Sequence, residues 1–239
     1  MVQRIIVMML FVTNMLSISY PQYMLISCPL KRSENTRIVD KVIEKKEDNI
    51  SFDVVIPEIN GLNNQEKEKE INSKINNYTE DWLNEIEEVA KEYFADGIEV
   101  SFPYEANSRY VVTRNDVNII SFYIDYYQFT GGAHGITRRV PYTIDVESGE
   151  VLEISSLFND KFDYKSVIDN EIRRQINEEE DKYFDKGKMF KGIDDTQKFY
   201  ISDSDLIIYF NQYEIAPYSA GIIEFNIPIS LFEDNFIYF

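Results

Sequence analysis

The chain has 239 residues, 24 of them basic and 42 acidic, for a formal net charge of −18. That length suits one mixed domain or two small ones, and 44% hydrophobic with 28% charged residues excludes an intrinsically disordered chain. The negative field repels nucleic acid and anionic membrane, and no basic patch overrides it; the same field attracts a cationic partner. A single Cys and a single His exclude an intrachain disulfide framework and a Cys-cluster zinc site, and leave little for histidine chemistry.

Residues 5–18 (IIVMMLFVTNMLSI) follow Arg4 and have the layout of a signal-peptide core. They fall short of the ~20 residues that a spanning helix needs. Leu25-Ile26-Ser27-Cys28 resembles a bacterial lipobox, in which the Cys is lipidated. A signal-anchor over about residues 5–27, and a cleaved signal peptide with Cys28 incidental, stand beside that reading. All three make residues 1–28 an address or anchor and put residues 29–239 outside the membrane, secreted or tethered. Residues 1–27 hold one base and no acid, so the acidic excess survives their removal.

Beyond a charged stretch at 31–49 with a strand signal at Ile38, Val39, Val42 and Ile43, residues 50–57 (ISFDVVIP) alternate as a strand. Pro57 and Gly61 mark the turn after it. The spacing predicts a long helix over 64–95, with Ile71, Ile75, Tyr78, Trp82, Ile86, Val89 and Tyr93 on one stripe that Leu83, Ala90 and Phe94 widen. Asn63 or Asn64 caps its start and Gly97 ends it. Strands follow at 98–105, 108–114 and 117–129, with Asn115-Asp116 as a hairpin turn, then a strand at 136–147. Ser148-Gly149 turns into a short strand at Val151–Ile154. A second helix is expected at about 161–183, then a polar loop and strands at 198–202, 205–211 and 221–228. The order implies an α+β fold, antiparallel sheets with two main helices packed on them, with a subdivision near residues 97–98.

Two loops hold the unusual residues. Gly131, Gly132 and Gly135 around His134 permit positive φ and close backbone approach. They lack the Lys-Ser/Thr of a phosphate loop. His134 is expected to bond across the loop and fix its shape, or to touch a partner, since no nucleophile or orienting carboxylate is placed beside it. In the second loop Tyr213 and Tyr218 flank Pro217 next to small residues, which suits either an interface anchor or a cap on the sheet edge. The acidic runs at 178–181 and 194–195 lack calcium-loop spacing and read as solvated surface. No hydrolase or zinc-protease motif is present, and the reading has no catalytic residue, cofactor or metal.

The first run, Tyr127-Gln128-Phe129-Thr130-Gly131-Gly132-Ala133-His134-Gly135, resembles the signature of the extracellular lysozyme-binding domain of the RsiV family of anti-sigma factors. The non-catalytic domain of PdaC peptidoglycan deacetylases is similar. Asp145-Val146-Glu147-Ser148-Gly149, Leu152 and Ser156-Leu157-Phe158 continue the likeness. So do Phe199-Tyr200-Ile201 and the closing run Tyr209-Phe210-Asn211-Gln212-Tyr213-Glu214-Ile215-Ala216-Pro217-Tyr218-Ser219-Ala220-Gly221. The likeness covers about residues 38–232. It implies an α+β fold outside a bacterial membrane, no enzymatic activity, and C-type lysozyme as a cationic protein partner. The contacts expected are residues 127–135 and 213–219, with association with peptidoglycan or the cell envelope as the alternative. Only Met1–Arg4 precede the apolar segment and no deacetylase domain follows, so a binding module alone is expected, without sigma-factor sequestration.

Overall fold

The computed structural model describes residues 36–95 and 102–238. The apolar segment at 5–18, Cys28 and Gly97 lie outside them. The first half of the chain runs β1 (Arg37–Lys46), β2 (Ile50–Asn60), α1 (Gln65–Phe94), β3 (Tyr104–Asn115), β4 (Ile119–Phe129) and β5 (Ile136–Asp145). These strands form one five-stranded sheet in the order β1-β2-β3-β4-β5. Its pairs are antiparallel except β2 with β3, which run parallel. A parallel pair needs a long crossover, and α1 supplies it. The second half adds α2 (Tyr164–Glu178), β6 (Phe199–Ile201), β7 (Asp205–Phe210) and β8 (Ile223–Pro228), the three strands forming an antiparallel sheet.

Side-chain alternation stacks these elements in four layers. Ile120, Phe122, Ile124 and Tyr126 of β4 join Ile71, Ile75, Trp82 and Ile86 of α1 in one core. The opposite face of β4 presents Tyr123 to a small cluster of Tyr200, Ile207 and Tyr209. The far face of the three-stranded sheet, with Leu206, Ile208 and Phe225, packs with Ile168, Ile172 and Ile176 of α2. The order is therefore α1, five-stranded sheet, three-stranded sheet, α2. The five-stranded sheet combines strands from before and after α1.

Helix α1 begins where its cap predicts: the Asn64 side chain accepts from the backbone N–H groups of Glu66 and Lys67. Its buried stripe differs from the expected one. Leu83 and Ala90 are buried as expected, but Thr79 is fully buried too, while Val89 and Tyr93 are exposed. Thr79 tolerates burial because its hydroxyl donates to the Ile75 carbonyl and also bonds the Tyr126 hydroxyl at 3.0 Å. A hydrophobicity count skips a threonine, so periodicity does not mark this position as buried.

Other boundaries shift for local reasons. The strands expected at 98–105 and 108–114 are represented by one strand, β3, over its described residues, with a bulge between Val112 and Arg114. Helix α2 is shorter than 161–183. Lys161 is left-handed, Asp163 caps the start by accepting from the Ser166 N–H, and Glu179 leaves helical geometry at φ −136°. Val151 makes only a single bridge to Ile144, and Ile154–Leu157 is a 3-10 turn, so no strand forms there.

Candidate functional site

The two loops singled out in the sequence meet in space. Residues 130–135 join β4 to β5, and residues 211–222 join β7 to β8. The His134 and Tyr218 rings stack with centroids 3.7 Å apart at 16°. The Tyr218 hydroxyl donates to the Gly135 carbonyl at 2.9 Å, and His134 Nδ1 lies 3.0 Å from the same oxygen. A carbonyl only accepts, so Nδ1 carries the proton and Nε2 is left to accept from the Tyr213 hydroxyl at 3.5 Å. The Tyr213 and Tyr218 rings are 5.7 Å apart. The result is one three-ring surface in which His134 and Tyr213 are exposed and Tyr218 is half-buried.

Local sequence explains how the rings are held. Gly135 is buried, and a Cβ there would lie 2.4 Å from the Tyr127 ring and 2.5 Å from the Gln128 carbonyl. That close approach leaves no room for a side chain at position 135. Tyr213 is the exposed tip of its loop at φ 68°, a left-handed conformation costly for a bulky residue. Neighbouring side chains impose it. Gln212 Oε1 accepts from the Thr137 N–H at 2.9 Å, and Asn211 Oδ1 accepts from the Arg139 N–H at 3.1 Å. The Tyr209 hydroxyl donates to the Arg139 carbonyl. These contacts occupy the outer edge of β5, where a sixth strand would otherwise pair. At the far end of the loop Gly221 takes φ 72°, ψ −153°, a conformation nearly restricted to glycine.

Beneath this surface Arg139 joins the two sheets. Its guanidinium bonds both Asp125 oxygens at 2.7 and 2.8 Å and also bonds Glu224. It lies 3.6 Å from the centroid of the Tyr123 ring. Burial works against its charge, but the hydrogen bonds and charge of Asp125 outweigh it and hold the guanidinium protonated. Tyr200 donates to Glu224, and burial together with that carboxylate pushes its hydroxyl pKa upward.

Not every residue of the two motifs faces outward. Ile215 and Ala216 are packed in the core around α2 and present no side chain to a partner. Their apolar character is structural. Tyr127 is half-buried, and Gln128 accepts from Trp82 Nε1 at 2.7 Å. Phe129, Thr130, Gly131 and Gly132 line a separate hollow of about 300 Å³ with Tyr93, Phe102 and Tyr104. Ala133, His134, Tyr213, Glu214, Pro217 and Ser219 are exposed. The side chains missed by the sequence are Asn211, Gln212 and Arg139, since nothing in a run of polar residues marks an inward-facing amide or arginine. Among the described residues no group of three or more His, Cys, Asp or Glu side chains is placed to hold a metal ion. His134 has ring and carbonyl partners but no nucleophile or carboxylate, an arrangement suited to recognition.

The chain is an α+β scaffold that presents an aromatic surface built from two loops. Comparison with known proteins narrows the class. The family model described as deacetylase PdaC matches residues 43–137, and a protein family of unknown function, DUF3298, matches residues 155–230. The anti-sigma-V factor RsiV of Bacillus subtilis is 28% identical over 208 residues, 78% of this chain and 65% of the relative. The chain thus spans just under two thirds of that relative. A DUF3298 member from Bacteroides fragilis superposes with a TM-score of 0.67 at 18% identity, covering 87% of this chain and 96% of that one. A second, from Pseudomonas aeruginosa, gives 0.56 at 14% identity over 85% and 94%. The described region is an RsiV- and PdaC-like domain.

Proposed function

We propose that this chain is a non-catalytic extracytoplasmic domain that binds a C-type lysozyme, as sensor, receptor or decoy. The carrying observation is the convergence of His134, Tyr213 and Tyr218, from two loops, into one stacked aromatic surface. Rigid tyrosines bind at low entropic cost, and strain at Tyr213 is paid before the partner arrives. The net charge of −18 supplies attraction for a cationic protein at long range. Similarity to an anti-sigma factor, over part of that protein's length, supports a protein ligand as the stimulus. Among the described residues no helix is long and apolar enough to cross a membrane. Membrane attachment, by lipidated Cys28 or a signal-anchor, therefore falls to the N-terminal segment in this proposal.

Calorimetric titration of the full chain with a C-type lysozyme, at low and physiological salt, tests the reading with lysis followed in parallel. The expected result is a dissociation constant below about 1 µM, weakened modestly by salt, with lysis inhibited. Tyr218→Ala should raise the off-rate by about tenfold or more while leaving folding intact. Saturation absent at physiological salt, or binding unchanged in a Tyr213→Ala/Tyr218→Ala variant, overturns it.

A further inference from the structure

Behind the aromatic surface, between α1 and the edge strand β5, lies a groove of about 640 Å³. That volume is in the range of small-ligand sites. Its floor is set by two side-chain amides whose orientation admits no alternative. Gln128 Oε1 accepts from Trp82 Nε1 at 2.7 Å, and Gln212 Oε1 accepts from the Thr137 N–H at 2.9 Å. Indole and backbone N–H groups only donate, so each amide must keep its oxygen inward and its NH2 outward. Both NH2 groups lack a protein partner among the described residues, and neither is a buried unsatisfied atom, so both stand open to the groove.

Cations and carboxylates complete the lining. Arg138 and Lys198 line the groove without an ion pair among the described residues, though acids outnumber bases in the chain. Glu85 and Glu214 face them as acceptors, and Tyr78, Ile136 and Val140 supply apolar wall. Fixed amide donors, carboxylate acceptors and the aromatic rings of Tyr78, Trp82 and Tyr126 are the combination that a polyhydroxylated ligand bearing acyl carbonyls would satisfy. The carbonyl oxygens accept from the amides, hydroxyls bridge to Glu85 and Glu214, and the acyl methyl rests on the apolar wall. The balanced charge favours a neutral ligand over an ion.

We infer that this groove is a binding site for an N-acylated saccharide, separate from the His134–Tyr213–Tyr218 surface. The test exploits the fixed amides. Glu at position 128 or 212 keeps the oxygen that Trp82 or Thr137 needs but replaces the outward NH2 donor by an acceptor. The probe is tri-N-acetylchitotriose, titrated into the full chain and followed by calorimetry and by the side-chain amide resonances of Gln128 and Gln212. Saturable binding at about 1 mM or tighter is expected, with those two amide signals shifting. Gln128→Glu/Gln212→Glu should weaken it by about tenfold or more, with thermal unfolding unchanged. Maltotriose, which lacks acyl groups, should bind more weakly by a similar factor. No saturation with the wild type, undiminished binding in the double variant, or equal affinity for maltotriose each overturns the assignment.

Discussion

On its α1 side the five-stranded sheet buries Ile120, Phe122 and Ile124 with Ile71, Ile75 and Ile86. On the other side it meets the three-stranded sheet through Arg139, Ser121, Thr143 and Tyr123. The first contact is apolar and non-directional, and any sequence with the right period satisfies it. The second is built from directed bonds. Ser121 Oγ takes the Ile201 N–H at 2.8 Å and bonds the Thr143 hydroxyl at 2.9 Å, while the Thr113 hydroxyl donates to the Ile201 carbonyl at 2.7 Å. Such a contact tolerates one geometry only, so it fixes how the second sheet, and the loop hung from it, sits on the first. The apolar side supplies cohesion; the polar side supplies registration.

Four variants can break or sharpen that division. Phe122→Ala, on the apolar side, should cost about 3–5 kcal/mol through lost burial and a cavity. Urea unfolding measures it, and the two-loop surface should survive in whatever fraction stays folded. Arg139→Ala should cost about 3 kcal/mol by leaving Asp125 and Glu224 uncompensated beside an empty site. It should also loosen the seating of residues 211–218, visible as faster amide exchange there; a loss of stability with exchange unchanged would mean that Arg139 packs without registering. Ser121→Ala should cost about 1–3 kcal/mol because the buried Ile201 N–H loses its acceptor.

The fourth and smallest effect is a pH dependence on the apolar side. Burial, and then the hydrogen bond to Asp40, push the Tyr110 hydroxyl up to about 12. A phenol raised above its unfolded value of about 10 stabilises the fold fully below that pH, and the contribution is lost as pH climbs towards about 12. Tyr110→Phe should therefore flatten part of the alkaline fall in unfolding midpoint within that window and leave the curve below it parallel. A fall equally steep in the variant would assign it to the other buried tyrosines.

The same contrast explains what could be read from the sequence. The cap at Asn64, most of the α1 stripe and the strands of the second sheet follow from periodicity and turn chemistry, because burial there is apolar. Thr79 escaped that reading because hydrogen bonding compensates its burial. Arg139 escaped for a stronger reason. It follows Arg138 in an alternating strand, and its partners Asp125 and Glu224 stand 14 and 85 residues away. No local pattern distinguishes the buried arginine from its exposed neighbour. The two loops were legible as motifs, but their stacking and the inward turn of Ile215 and Ala216 depend on how the sheets are seated.

Asn211 and Gln212 terminate β5 with side-chain amides in place of a further strand. Those two positions are therefore committed to the scaffold, while Tyr213, Glu214, Pro217 and Ser219 just beyond them project into solvent. Within nine residues the chain passes from a fixed mooring to a surface on which substitutions carry little folding cost. The exposed positions can therefore vary while the anchorage is inherited intact.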